Sequence, residues 1–190
     1  MDHIDLTNRN GLLRGDLRYF CNFKFHSHRE VLTMPEPSAD DVRRANMNTL
    51  ADTHAIYVEA IRKLMGKEGL DAIGEVNRHH GFELGRTAIK QGLLRSGDLR
   101  SIFEFFDAAH PYFGFELSIG TNSEKCFELR VTSCPWIESF KARGANPDIC
   151  EYVTKIDEGI GQAVDSNVTM SIPKCMMRGD DHCIYRWEKE

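Results

Sequence analysis

At 190 residues, with 41% hydrophobic and 28% charged side chains, the chain has the makeup of a globular domain long enough to bury a core without disulfide staples. No apolar run approaches the roughly 18 residues that crossing a bilayer takes, and a net charge of −5 with scattered Lys and Arg leaves no basic stripe for nucleic acid. Membrane-spanning and nucleic-acid-binding roles are therefore set aside, and small molecules are the expected partners.

Residues 1–37 read as an N-terminal arm or short strand ending at Pro35-Glu36-Pro37, with His26 and His28 alternating along it. The opening acids, without an apolar signal core, predict a cytoplasmic protein with reduced thiols. A single α+β domain is expected over 38–190. Ser38 with Asp40 and Asp41 caps a long helix, in which Val42, Ala45, Leu50, Ile56, Tyr57, Ala60, Ile61, Leu64 and Met65 recur near the helical period up to Gly66. A second helix covers about Leu70 to Gln91 and contains Gly74, Gly81 and Gly85. A third, capped by Ser96, covers Gly97 to His110 and ends at Pro111.

From Tyr112 the pattern changes to alternation. Phe113 to Ile119 and Lys125 to Thr132 form a predicted antiparallel hairpin about Gly120-Thr121-Asn122-Ser123-Glu124. Pro135 opens a short helix to about Ala142, Pro147-Asp148 opens another to about Val164, and Asn167 to Cys175 with His182 to Glu188 make a final hairpin. The fold class is thus α+β: N-terminal helices packed on an antiparallel sheet, with two helices inserted between its hairpins.

Four cysteines of this C-terminal part, 127–190, stand out. Cys175 and Cys183 flank Gly179 symmetrically; a hairpin turning there brings them to cross-strand distance, roughly 4.5–5.5 Å between Cβ atoms. Cys134 and Cys150 each fall at a predicted helix start, where free N–H groups and the helix dipole favour a thiolate. Asp157 lies seven residues after Cys150 and shares its helix face. Cys134, Cys150, Cys175 and Cys183 could supply a thiolate site for Zn or Fe, although no C-x-x-C pair occurs; buried small hydrophobes are the plain alternative, and Cys21 and Cys126 are taken as structural. His182 precedes Cys183 on the opposite face, His110 at a helix end would be favoured as a cation, and the pair His79-His80 reads as surface or core.

Val131-Thr132-Ser133-Cys134-Pro135-Trp136, Cys150 with Asp157, Arg178-Gly179-Asp180-Asp181-His182-Cys183 and Tyr185-Arg186-Trp187 resemble the L-2-amino-thiazoline-4-carboxylic acid hydrolase-like family over roughly Phe127 to Glu190. The stretch from Lys174-Cys175 to Cys183 is also similar to the 4-vinyl reductase type of ligand-binding domain. The first resemblance implies a hydrolase that adds water to the C=N carbon of a small cyclic amidine-like substrate and opens its ring toward a carbamoyl amino acid. In that reading Cys134 serves as nucleophile or metal ligand, Asp157 as base and Cys150 as partner thiol. The second implies a non-catalytic domain that holds a small molecule or a metal, to which Cys175 belongs. Function seated at a homodimer surface is the third possibility.

Overall fold

The computed structural model describes residues 36–189. The expected arm lies outside these except for its last two residues, as do Cys21, His26 and His28. The chain from Pro37 on forms one unit.

Helix α1 (Ala39–Lys90) carries both expected N-terminal helices as one rod kinked at Gly66, whose φ of 62° and ψ of −146° leave the helical region. Ser38 caps it as expected: its hydroxyl accepts from the Asp41 N–H while the Asp41 carboxylate accepts from the Ser38 N–H, both at 3.2 Å. The buried face differs from the large-residue stripe in the sequence. Met47, Ala51, Ala55 and Val58 point inward, whereas Tyr57 and Leu64 are 65% and 76% exposed. Further along, a Cβ on Gly81 or Gly85 would stand 1.9 Å from the Ile156 carbonyl oxygen or 2.6 Å from the Ala163 Cβ, so the smallest residues hold that part of the inner face.

The third helix is shorter than expected: α2 is Ser101–Asp107. Ser96 does not cap it, because Gly97 donates its N–H to the Val164 carbonyl (2.8 Å) and the Ser101 hydroxyl donates to the Asp98 carbonyl (2.6 Å), so turns occupy the approach. A 3₁₀ turn, His110–Phe113, follows with Pro111 inside it. That turn uses up the residues expected to begin the first strand, and the hairpin is β1 (Glu116–Asn122) with β2 (Cys126–Ser133).

Three helices stand between the hairpins: α3 (Trp136–Ala142), α4 (Ile149–Val153) and α5 (Lys155–Val164). The second expected helix is broken at Thr154, whose hydroxyl donates to the Cys150 carbonyl (2.6 Å), while the Asn77 amide donates to the Tyr152 carbonyl (3.0 Å). β3 (Val168–Lys174) and β4 (Cys183–Lys189) close the chain, and the all-antiparallel sheet runs β1-β2-β4-β3. This is an α+β fold with N-terminal helices packed on a four-stranded antiparallel sheet.

The layers are α1, α5 and sheet, and glycines set their spacing. A Cβ on Gly81 would stand 1.9 Å from the Ile156 carbonyl oxygen, and one on Gly159 would stand 1.9 Å from that of Arg78, so α1 and α5 touch backbone to backbone. On the other side of α5, Trp187 of β4 lies over Gly161, stacks on Phe127 with centroids 5.8 Å apart, and donates its indole N–H to the Asp157 carbonyl (3.1 Å). Period-two alternation sends Cys183, Tyr185 and Trp187 to one face, opposite Val131, Leu129 and Phe127 of β2.

Candidate functional site

Between the helices and this face lies a cavity of about 470 Å³. Its walls are aromatic and aliphatic: Phe105 and Phe106 of α2, Phe113 and Phe115, Leu129 and Val131 of β2, and Trp136 and Phe140 of α3 all line it. Cys134, Cys150, Asp157 and Tyr185 supply its polar groups, with Thr154 and His110. Cys150 and Asp157 therefore reach one cavity as the sequence suggested, although the helix between them is broken.

Asp157 is held by α5, whose first turn is fixed by the N–H of Asp157 donating to the Thr154 carbonyl (2.9 Å) and by the Trp187 bond to the Asp157 carbonyl. Its carboxyl meets the cavity rather than open water. Burial pushes its pKa up from 3.8 to about 7. Tyr185 leans on the same region; burial raises its pKa well above the ordinary phenol value, and Cys150, Cys183, Cys134 and Asp157 nearby add to the rise. The sequence reading missed Tyr185, although alternation from Cys183 through Tyr185 to Trp187 places it on the inner face.

Cys134 departs from expectation. The N–H groups of Trp136 and Ile137 do turn toward it, but burial outweighs them and pushes its thiol up to about 11. The helix-start argument assumed solvent around the sulfur, and here it is half-buried in an apolar cavity wall. His110 is corrected in the same sense: its ring lies edge-on to Phe106 and Phe115, with Nδ1 3.1 Å from the Phe106 carbonyl oxygen, and burial lowers its pKa rather than favouring the cation. His182 is buried with Nδ1 2.6 Å from an Asp181 carboxylate oxygen, and His79 and His80 are exposed.

The closing hairpin turns where the sequence placed it. Gly179 has φ 97° after a 3₁₀ turn at Met176–Arg178, and the Asp180 carboxylate accepts the Cys175 N–H at 2.7 Å, which gives the Gly179-Asp180 pair a physical role. Lys174 pairs with Ile184 in the last rung, so Cys175 and Cys183 face each other just beyond the ladder. Cys150, Cys175 and Cys183 are near enough to shift one another. The other two thiols and the Met177 N–H lower the Cys175 pKa against its burial, while Cys150 and Cys183 are themselves raised chiefly by the nearness of Cys175. The Met176 N–H also points at the Cys183 sulfur, 3.3 Å away. Cys134 is close enough to act on this trio through its charge.

Soft sulfur donors and N–H groups directed at them suit Zn or Fe. Even so, among the described residues no group of three or more His, Cys, Asp or Glu stands in an arrangement that would hold a metal ion. Nor, among the described residues, is any helix long and apolar enough to cross a membrane. Trp136 carries the one buried side-chain polar atom, among those described, that lacks a hydrogen-bond partner: its indole nitrogen.

Residues 44–187 match the family model described as L-2-amino-thiazoline-4-carboxylic acid hydrolase. The match takes in α1 and α2 as well as the C-terminal third in which the resemblance was read. No curated protein matches the chain. Two solved structures share its fold. One is trafficking protein particle complex subunit 3 from Naegleria fowleri, covalently bound to palmitic acid, at 18% identity over 77% of this chain and 96% of that one, with a TM-score of 0.52. The other is the phenol-responsive sensory domain of the transcription activator PoxR with phenol, at 11% identity over 81% and 92%, with a TM-score of 0.56.

Proposed function

The chain belongs to the L-2-amino-thiazoline-4-carboxylic acid hydrolase family, and from that premise we propose that its cavity binds a small cyclic C–N substrate of the thiazoline type and hydrolyses it, with Asp157 as the base. The observation that supports this most is Asp157 itself, a carboxyl on the cavity wall that titrates near 7, where a general base works best at neutral pH. The ionised carboxylate takes a proton from water as the water oxygen bonds to the C=N carbon, and the π electron pair moves to nitrogen, which takes up a proton from solvent. The carboxyl then returns its proton to the ring sulfur as the C–S bond breaks and the added hydroxyl becomes the carbonyl, its proton passing to solvent, which leaves a carbamoyl group and a thiol. Cys134, with its thiol near 11, is protonated at neutral pH and better suited to the wall, beside Cys150, than to nucleophilic attack. The setting is cytoplasmic, where the thiols stay reduced.

Asp157→Asn is expected to lower kcat on a thiazoline substrate by roughly 10²–10⁴-fold, and the parent's rate should rise through a pH limb near 7. Turnover by the variant at the parent's rate would overturn the reading.

A second reading is favoured by the convergence of Cys150 and Cys183 on Cys175. In it the chain is a non-catalytic domain of the 4-vinyl reductase type, in which Cys134, Cys150, Cys175 and Cys183 would have to draw together from their present arrangement to hold Zn or Fe. Both solved relatives carry apolar ligands by name, palmitic acid and phenol, in keeping with a binding role. Elemental analysis of protein purified anaerobically without added metal tests it: one Zn or Fe per chain is the expected result, and its absence refutes the four-sulfur site.

A further inference from the structure

We propose that Trp136 anchors the substrate: its indole N–H receives the carboxylate of the ring acid and so turns the C=N carbon toward Asp157. The inference rests on the hydrolase reading of the cavity and adds to it the residue that orients the ring.

The donors on the wall can be accounted for one by one. Among the described residues the cavity is lined by no Lys or Arg, so a carboxylate that enters it is received by neutral groups. The Thr154 hydroxyl is engaged, since it donates to the Cys150 carbonyl (2.6 Å). His110, with burial holding its ring neutral, gives its Nδ1–H to the Phe106 carbonyl (3.1 Å) and presents only an acceptor nitrogen. The thiols of Cys134 and Cys150 are weak donors. That leaves the Tyr185 hydroxyl and the Trp136 indole N–H. A hydroxyl can swing its hydrogen toward whatever acceptor is at hand, whereas an indole N–H is fixed in the plane of its ring. The Trp136 nitrogen is buried and has no hydrogen-bond partner among the described residues, and an unmet donor of this kind in a folded protein calls for an acceptor.

The direction of that donor is set before a ligand arrives. Trp136 stacks on His54 of α1 with centroids 5.1 Å apart and meets Phe140 edge-on at 5.9 Å, so little ordering is left to be done on binding. Cys134 ties it to the base: the Trp136 backbone N–H turns toward the Cys134 sulfur, which is near enough to Asp157 and Tyr185 for their charges to be felt. In the acid that names the family, the C=N carbon and the carboxyl-bearing carbon flank the ring nitrogen. A carboxylate held on Trp136 therefore leaves the amidine edge for Asp157, whose negative charge suits it, and keeps the two carboxylates apart. The bond to Trp136 is charge-assisted, and the Tyr185 hydroxyl, kept protonated by burial, can donate to the second carboxylate oxygen.

Two probes with one ring test the anchor in the full chain at pH 7.5: 2-amino-2-thiazoline-4-carboxylate and 2-amino-2-thiazoline. The chain has two tryptophans, hence two indole N–H signals in a ¹⁵N-labelled spectrum, and that of Trp187 already donates to the Asp157 carbonyl. The acid should move the Trp136 signal downfield, and the bare ring should leave it nearly in place. In calorimetric titrations Trp136→Phe, which keeps an aromatic ring against His54, should bind the acid more weakly by on the order of tenfold to a hundredfold, the loss of one hydrogen bond to a charged group, with the bare ring little affected. A Trp136 signal unmoved by bound acid, or equal weakening of both rings in the variant, overturns the anchor. If the acid is still hydrolysed in an Asp157-dependent manner, the proposed hydrolysis stands without it. Binding of neither ring by the parent, with no turnover, overturns both.

Discussion

Asp157 shows at the scale of one residue how position and chemistry can oppose each other. Its carboxyl holds a proton more tightly folded, near 7, than at its ordinary 3.8. The folded state therefore binds the extra proton between those values, and the stability of the fold declines as pH rises from about 4 to about 7, then levels. Three pKa units correspond to about 4 kcal/mol, an upper figure for what ionising this buried group costs. Asparagine keeps the shape and removes the charge. Asp157→Asn is thus expected to be more stable than the parent at pH 8 by about 2–4 kcal/mol, with the gap closing near pH 4.5, as urea unfolding at the two values would measure. A variant less stable than the parent at pH 8 would mean that the carboxylate is solvated or paired and not a poised base. A gain in stability together with a loss of turnover is the signature of a group kept for chemistry rather than for folding. Cys134 teaches the companion lesson: two N–H groups at a helix start do not make a thiolate where burial opposes them.

At the scale of elements, the α1–α5 contact governs where Asp157 sits. Asp157 and Gly159 share one turn of α5, and Gly159 lies on the backbone of α1 with no room for a methyl group. Gly159→Ala would force the helices apart, at a cost of about 3 kcal/mol, which lowers the melting temperature by roughly 6–12 °C for a chain of this size. The parting would also shift Asp157 against the sheet-borne Tyr185, so kcat should fall in protein that remains folded, as thermal unfolding and steady-state kinetics on one preparation would establish. An unchanged melting temperature would show that the two helices are not in backbone contact. The same contact explains why the sequence misled about α1. Its large apolar residues announce a helix correctly, yet the face that packs is drawn by Ala51, Ala55, Gly81 and Gly85, which a stripe of large residues hides.

At the scale of the whole molecule, the parts legible in the sequence are those whose signal is local. The Ser38 capping box, the turn at Gly179 and the two hairpins depend on residues within a few positions of one another, and they came out within a few residues of their expected places. The break at Thr154, the late start of α2 and the neutral Cys134 each depend on partners far along the chain: Asn77 reaches the Tyr152 carbonyl, Val164 accepts from Gly97, and the apolar cavity wall half-buries the sulfur. The candidate site divides along the same line. Cys134, Cys150 and Asp157 could be proposed because helix starts and helix faces are local properties, and all three line the cavity. The cavity itself could not, since it exists only where α1, α2, α3, α5 and the sheet meet, and its apolar walls come from every one of them. That origin also fixes the chemistry available. Apolar walls drawn from all of these elements surround the few acids at their meeting point, and burial among them is what lifts Asp157 to the pH range in which a carboxyl can both take and return a proton. The layering that builds the core and the pKa that would make the site work are consequences of one packing arrangement.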